Sequence, residues 1–232
     1  MTALSYVDQN LAAIRARIDA AAQKNGGREV TLLAAVKYTD TDHINYLHGL
    51  GVNDIGENRV QQLLEHWEAL DRTNLRVHFI GTLQKNKVKY IIDKVSMIHS
   101  LDSLSLAAEI EKQAAKHGIV MDVLVEINSG MEENKSGIAP QEAADFCQSL
   151  AQFSHLNLRG FMTMAPKCEK NEEYRKYFRK TSQLCLDIWQ KTLHNIGRPI
   201  LSMGMSDSFE VAIEEGADIV RVGRALFAPH EN

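Results

Sequence analysis

The sequence predicts an α/β fold, a single (β/α)8 TIM barrel preceded by an extra N-terminal helix. Three observations carry this reading. Short apolar segments of strand length alternate with longer segments of helical period along the chain. There are eight strand-like segments, nearly all followed by a helix, and such alternation gives parallel strands joined by helical crossovers. The rival, an open doubly wound sheet, ordinarily carries a glycine-rich phosphate turn after its first strand. The corresponding stretch here, VKYTDTD, has no glycine.

The elements follow in order. Residues 4–23 place Leu4, Val7, Leu11, Ile14 and Ile18 at helical spacing, and the NGG at 25–27 ends that helix. Strands are expected at 31–38, 52–57, 76–81, 96–102, 121–128, 158–165, 200–206 and 218–227. Helices are expected at 59–70, 104–118, 140–153, 171–195 and 208–216, with Pro140 and Ser208 suited to helix starts. The polar stretch 129–137 reads as a βα loop at the functional end of the barrel. The charged run EEYRKYFRK (172–180) reads as a solvent-facing helix surface. No linker or low-complexity tract interrupts the pattern, so residues 1–232 are expected to form one domain.

Composition narrows the function. With 26 Lys+Arg against 30 Asp+Glu, the net charge of -4 gives no argument for nucleic acid as a partner. No apolar run approaches the roughly 18 residues of a membrane span. The first 24 residues carry charges through their middle, unlike a secretory signal. Cys147, Cys168 and Cys185 are odd in number and lack metal-ligand spacing. They read as reduced thiols, so a cytoplasmic protein without a metal site is expected.

The chemistry starts at Lys37. Within TLLAAVKY, Leu33, Ala35 and Lys37 share one strand face, while Leu32, Ala34, Val36 and Tyr38 share the other. With its face turned inward, Lys37 stands at the C-terminal rim, where barrel enzymes keep their chemistry. In the last strand, Ile219, Arg221 and Gly223 share a face, and a closed barrel pairs that strand with the first. Two cations then point into one cavity, which calls for an anionic or electron-rich ligand. Barrels bind phosphate with the loops after strands 7 and 8. Here those loops offer Gly204 and Ser206, then Gly223 and Arg224. An amine nucleophile, a phosphate cradle and an arginine between them suit pyridoxal 5′-phosphate (PLP). Its aldehyde would form a Schiff base with Lys37. Its phosphate would meet Ser206 and the backbone of Gly223 and Arg224, and its ring nitrogen would accept from Arg221. Arginine keeps its proton, so the ring would be a weaker electron sink than one held by aspartate.

The segments LLAAVKY, IGENRVQ, HFIGTLQKNK, VEINSGMEENKSGI, LRGFMTMAP and LSMGMSDSFEVAIEEGADIVRVGRALF cover much of the chain. Through them it resembles the PLP homeostasis proteins, single-domain relatives of the alanine racemase N-terminal barrel. The resemblance makes Lys37 the Schiff-base lysine and puts Asn58 near the cofactor. It assigns Ser206, Gly223 and Arg224 to the phosphate and Arg221 to the pyridine nitrogen. It implies PLP binding without established turnover, a role in supplying or buffering vitamin B6 cofactor, and apo PLP-dependent enzymes as receiving partners. Two departures, Val77 before HFIG and Ala228 after RALF, read as peripheral.

Alternatives stay open. A PLP-dependent racemase or lyase would use Lys37 as its base, and a phosphate-binding sugar isomerase would use it on a carbonyl. Alanine racemases take a second acid/base from an additional C-terminal β-domain, for which the sequence to Asn232 leaves no room; its lack favours a monomeric carrier. His78 reads as a hydrogen-bonded core residue, Lys135 as a solvated loop cation, and Gln84, Asn86 and Lys87 as polar wall. Met162, Met164, Met203 and Met205 read as barrel core and pocket wall.

Overall fold

Closure of the sheet is decided at its first strand. β1 (Thr31–Ala35) pairs in parallel with β2 (Asp54–Glu57) on one side and β8 (Ile219–Val222) on the other. Between these run β3 (Arg76–Phe79), β4 (Met97–Leu101), β5 (Met121–Ile127), β6 (Leu156–Thr163) and β7 (Ile200–Ser202). Each is parallel to the next, and the eight form a closed barrel in sequence order. The structure, a computed structural model, describes residues 4–37, 39–132, 135–192 and 197–229. The strand reading of Tyr38 and parts of two other expected segments (133–134 within the loop, 193–195 at the end of the helix) lie outside the described residues.

Around the barrel stand α1 (Ser5–Lys24), α2 (Thr41–Gly49), α3 (Val60–Trp67), α4 (Leu104–His117), α5 (Ala143–Ser149), α6 (Asn171–Thr192), α7 (Phe209–Glu214) and α8 (Arg224–Phe227). The two faces of each strand divide the core. Ala34, Val36, Ile55, Phe79, Val123, Phe161 and Val220 belong to the large layer between strands and helices. Leu33, Ala35, Ile80 and Ile219 form one small apolar cluster inside the barrel, and Met97, Leu124 and Met162 form another. The alternation predicted for β1 is therefore present, with Leu33 and Ala35 inward.

Several boundaries differ from the sequence reading. The segment 218–227 is a strand only to Val222, because Gly223 opens α8. β7 stops at Ser202, where the chain turns through Gly204 at φ +92°. The 140–153 helix is α-helical only over Ala143–Ser149, with a 3-10 turn at each end. α2 and the 3-10 helix Lys85–Tyr90 were not expected; Asp40 caps α2 by accepting from the His43 N–H at 2.9 Å. The run 172–180 is not simply solvent-facing. Tyr174 and Phe178 are buried, and Arg175 and Arg179 pair with Glu214 and Glu215.

α1 packs Val7, Leu11, Ile14 and Ile18 inward. From the same helix, Asn10 Nδ2 donates to the carbonyls of Leu226 and Ala228, both at 3.0 Å. The extra helix thus satisfies the C-terminal carbonyls of α8, the element that walls the site.

Candidate functional site

β1 ends at Ala35, and the chain turns at the C-terminal rim with Lys37 on the turn. Lys37 lines an open cavity of about 550 Å³. Arg221 lines the same cavity from inside the barrel, where parallel pairing sets it beside Leu33, four residues before Lys37. Only 4% of Arg221 is exposed. Its Nη1 donates to the Ser202 carbonyl at 2.7 Å and to Ser202 Oγ at 2.8 Å, and its Nη2 donates to the Thr163 carbonyl at 2.9 Å. Burial pulls its pKa down to about 10, opposed by the nearby Glu126 carboxylate, so it remains a cation at neutral pH. Burial in turn pushes the Glu126 carboxyl upward, although Ser136 Oγ donates to it at 2.9 Å.

One end of the cavity is built from the last two βα connections. Ser206 Oγ accepts from the Ala225 N–H at 3.4 Å, tying the loop after β7 to the start of α8. Gly223 is required there by contact. A Cβ at this position would meet the Ala35 carbonyl oxygen at 2.7 Å, so only glycine lets the end of β8 pass that of β1. Asn58 follows β2 directly, and Gly81 leaves room for it, since a Cβ there would stand 2.1 Å from the Asn58 carbonyl oxygen. Asn58 Oδ1 is buried without a hydrogen-bond partner.

Lys37, Asn58, Ser206, Arg221, Gly223 and Arg224 all line this one cavity. Thr39, Asp207 and Phe227 line it too and were not singled out in the sequence. Asp207 pairs with Arg224 at the exposed edge of the cavity. Met164 and Met205 are partly exposed pocket wall, whereas Met162 and Met203 are buried core. Ala228 also lines the cavity, so this departure is not peripheral: its place just after α8 brings it to the mouth. Val77 lies in the outer core. His78 is buried and hydrogen-bonded, and Lys135 is exposed and paired with Glu132. Gln84 and Asn86 border a second depression on the rim, beyond β3 and β4, that is open to solvent.

Known proteins align with this arrangement over nearly the whole chain. The family model described as "Alanine racemase, N-terminal domain" matches residues 9–230. A pyridoxal phosphate homeostasis protein of Aquifex aeolicus is 43% identical over 94% of this chain and 96% of its own length. The one from Escherichia coli K12 is 33% identical over 98% of both. PipY of Synechococcus elongatus, solved with PLP bound, superposes with a TM-score of 0.84 at 27% identity, covering 96% of this chain and 100% of that one. An alanine racemase of Clostridium difficile, 17% identical, shares the fold over 99% of this chain but only 58% of its own, with a TM-score of 0.75. The residues at the rim and the similarity along the chain agree: the chain belongs to the pyridoxal phosphate homeostasis protein family, on the barrel of the alanine racemase N-terminal domain.

Proposed function

We propose that this chain binds PLP in the rim cavity and takes part in intracellular vitamin B6 homeostasis by holding and supplying or buffering the cofactor. One observation carries the proposal: Lys37, on the turn after β1, and Arg221, in β8, line a single open cavity with Ser206 and Gly223, and closure of the barrel between β8 and β1 brings them together. The donor set fits the ligand. Lys37 is the amine for a Schiff base, Ser206 and the backbone at Gly223 and Arg224 offer phosphate donors, and Arg221 donates from the cavity floor. The unpartnered Asn58 Oδ1 gives the wall a polar atom still to be satisfied. When bound, PLP supplies an electrophilic aldehyde and an electron-withdrawing ring. A guanidinium holds a ring nitrogen without giving it a proton, which suits storage better than carbanion chemistry.

The racemase or lyase reading asks for more than the wall offers. Among the described lining residues, Lys37 and Asp207 alone carry a general acid–base group, and Asp207 is largely exposed to solvent beside Arg224. A cavity open to solvent also lets the cofactor leave, which makes apo PLP-dependent enzymes reasonable recipients.

The test is covalent trapping. Protein loaded with PLP, desalted and reduced with borohydride should carry one phosphopyridoxyl group on Lys37, found by peptide mass mapping. Lys37→Ala should carry none. Label spread over surface lysines such as Lys85 and Lys135, or none in the wild type, overturns the proposal. Steady turnover of an amino acid by the loaded wild type, lost in Lys37→Ala, would replace it with the racemase or lyase reading.

A further inference from the structure

Behind Arg221, a file of buried polar side chains crosses the barrel interior. Arg221 Nη1 donates to Ser202 Oγ at 2.8 Å. Ser202 Oγ lies 3.0 Å from His99 Nδ1, His99 Nε2 lies 2.9 Å from His78 Nδ1, and His78 Nε2 lies 3.0 Å from Asp54 Oδ1. At the N-terminal end of the barrel, Arg76 grips Asp54 through Nε at 2.7 Å and Nη2 at 2.5 Å. Ser202 and His99 are wholly buried, and the two imidazoles meet edge to face with centroids 5.1 Å apart.

The chemistry of the ends fixes the direction of the file. A guanidinium only donates and a carboxylate only accepts. Ser202 Oγ receives a hydrogen from Arg221, so its own hydrogen goes to His99 Nδ1. His99 must then donate from Nε2 to His78 Nδ1, and His78 from Nε2 to Asp54. In this arrangement every donor has an acceptor. In the reverse direction, Ser202 Oγ would receive from both Arg221 and His99 and leave its own hydrogen without an acceptor in the file, and a neutral His78 would turn a lone pair on the Asp54 carboxylate. A serine hydroxyl otherwise rotates freely. Pinning its hydrogen on His99 keeps a lone pair turned to the guanidinium.

We propose that Ser202 and His99 are positioning residues for Arg221, held in one hydrogen-bond direction by His78 and Asp54 from the opposite end of the barrel. The direction belongs to the protein alone; its consequence for ligand binding rests on the PLP reading above.

The experiment uses the full chain labelled with nitrogen-15. In the protein without PLP, histidine spectra should show His78 and His99 both protonated at Nε2 and bare at Nδ1. Asp54→Asn turns the acceptor-only end into one that also donates, and the ring hydrogens should move toward Nδ1. Ser202→Ala is the milder variant, because it leaves the main-chain carbonyl contact in place. It should shift the Arg221 side-chain Nε resonance and weaken PLP retention about three- to tenfold, the size of one ordinary intramolecular hydrogen bond, because the effect reaches the ligand only through Arg221. Borohydride should still label Lys37 in that variant. Nδ1-protonated rings in the wild type overturn the proposal. So does an unmoved Arg221 resonance in Ser202→Ala, or unchanged PLP retention where the wild type binds PLP. A wild type that takes up no PLP defeats only the cofactor reading, and the nitrogen spectra still decide the file.

Discussion

Two clusters of six polar residues hold this molecule together in different ways. Inside the barrel, Asp54, His78, His99, Ser202 and Arg221 make a single buried file, closed at its solvent-exposed end by Arg76. Outside, Lys24, Glu214, Arg175, Glu172, Glu215 and Arg179 tie α1, α6 and α7 together. The contact distances are alike, 2.5–3.0 Å inside and 2.6–2.9 Å outside. The difference lies in what replaces a broken contact. Water re-solvates an exposed ion pair at little cost, whereas a buried donor or acceptor that loses its partner bears its full desolvation penalty. The inner file can therefore enforce one geometry on Arg221, and the outer cluster can only add adhesion.

The sharpest break of this contrast is His99→Leu. It preserves bulk but strands Ser202 Oγ–H and His78 Nδ1, two buried groups at roughly 1–3 kcal/mol each. A loss of about 3 kcal/mol is expected from urea unfolding at neutral pH. A loss below about 1 kcal/mol would mean that water enters the barrel and that the inner file is no more demanding than the outer cluster.

Acid should separate the clusters next. Burial, with the neighbouring His78 and Arg221, holds the His99 pKa well below its ordinary value. Of the carboxylates along the file, Asp54 stands beyond His78 and Glu126 beyond Arg221. In the unfolded chain, His99 takes up a proton near pH 6.5; in the folded chain it does not. The unfolded state then binds more protons, so stability falls as pH drops below about 6.5, by up to about 1.4 kcal/mol per unit. Asp54 adds a second window. Burial raises its carboxyl, but hydrogen bonds from His78 and Arg76 outweigh that and hold it at about 2, so its contribution is complete above about pH 4 and is lost toward pH 2. Unfolding series between pH 4 and 8 should show the first slope in the wild type and a flatter one in His99→Leu. Equal slopes would remove His99 from the account.

The sequence made the site more legible than its support. Lys37 and Arg221 were readable because two rules compose: period two turns Arg221 inward and leaves Lys37 just past an inward Ala35 at the rim, and pairing of β8 with β1 joins them. Ser206 and Gly223 followed from where barrels bind phosphate. The inner file was not readable beyond His78. Its members come from five strands, and whether an inward His99 meets His78 or an inward Leu depends on register between strands, which local pattern does not report. The end of β8 was misplaced because VGRALF is apolar enough for a strand, and the close approach of Gly223 to Ala35, which leaves no space for a Cβ, exists only in the closed barrel. Asp207 escaped notice, and Ala228 was read as peripheral, for a related reason: a loop residue declares no face until the loop is folded.

The smallest expected effect tests the outer cluster where it is strongest. Arg175 lies among Glu172, Glu214 and Glu215, whose hydrogen bonds raise its pKa. If any member of that cluster behaves like the inner file, it is this one. Arg175→Ala should nonetheless cost about 1 kcal/mol or less, because water and the neighbouring Lys24 and Arg179 take over the stranded carboxylates. Salt sharpens the comparison, since at 0.5 M the Debye length falls to roughly 4 Å and surface attraction is screened. The difference between Arg175→Ala and wild type, measured by urea unfolding, should shrink from low salt to high. The difference for His99→Leu should hold steady, because ions do not reach the barrel interior. A large, salt-insensitive loss in Arg175→Ala would show that three converging carboxylates can make a surface site behave as a buried one. The contrast would then lie in the number of partners rather than in burial.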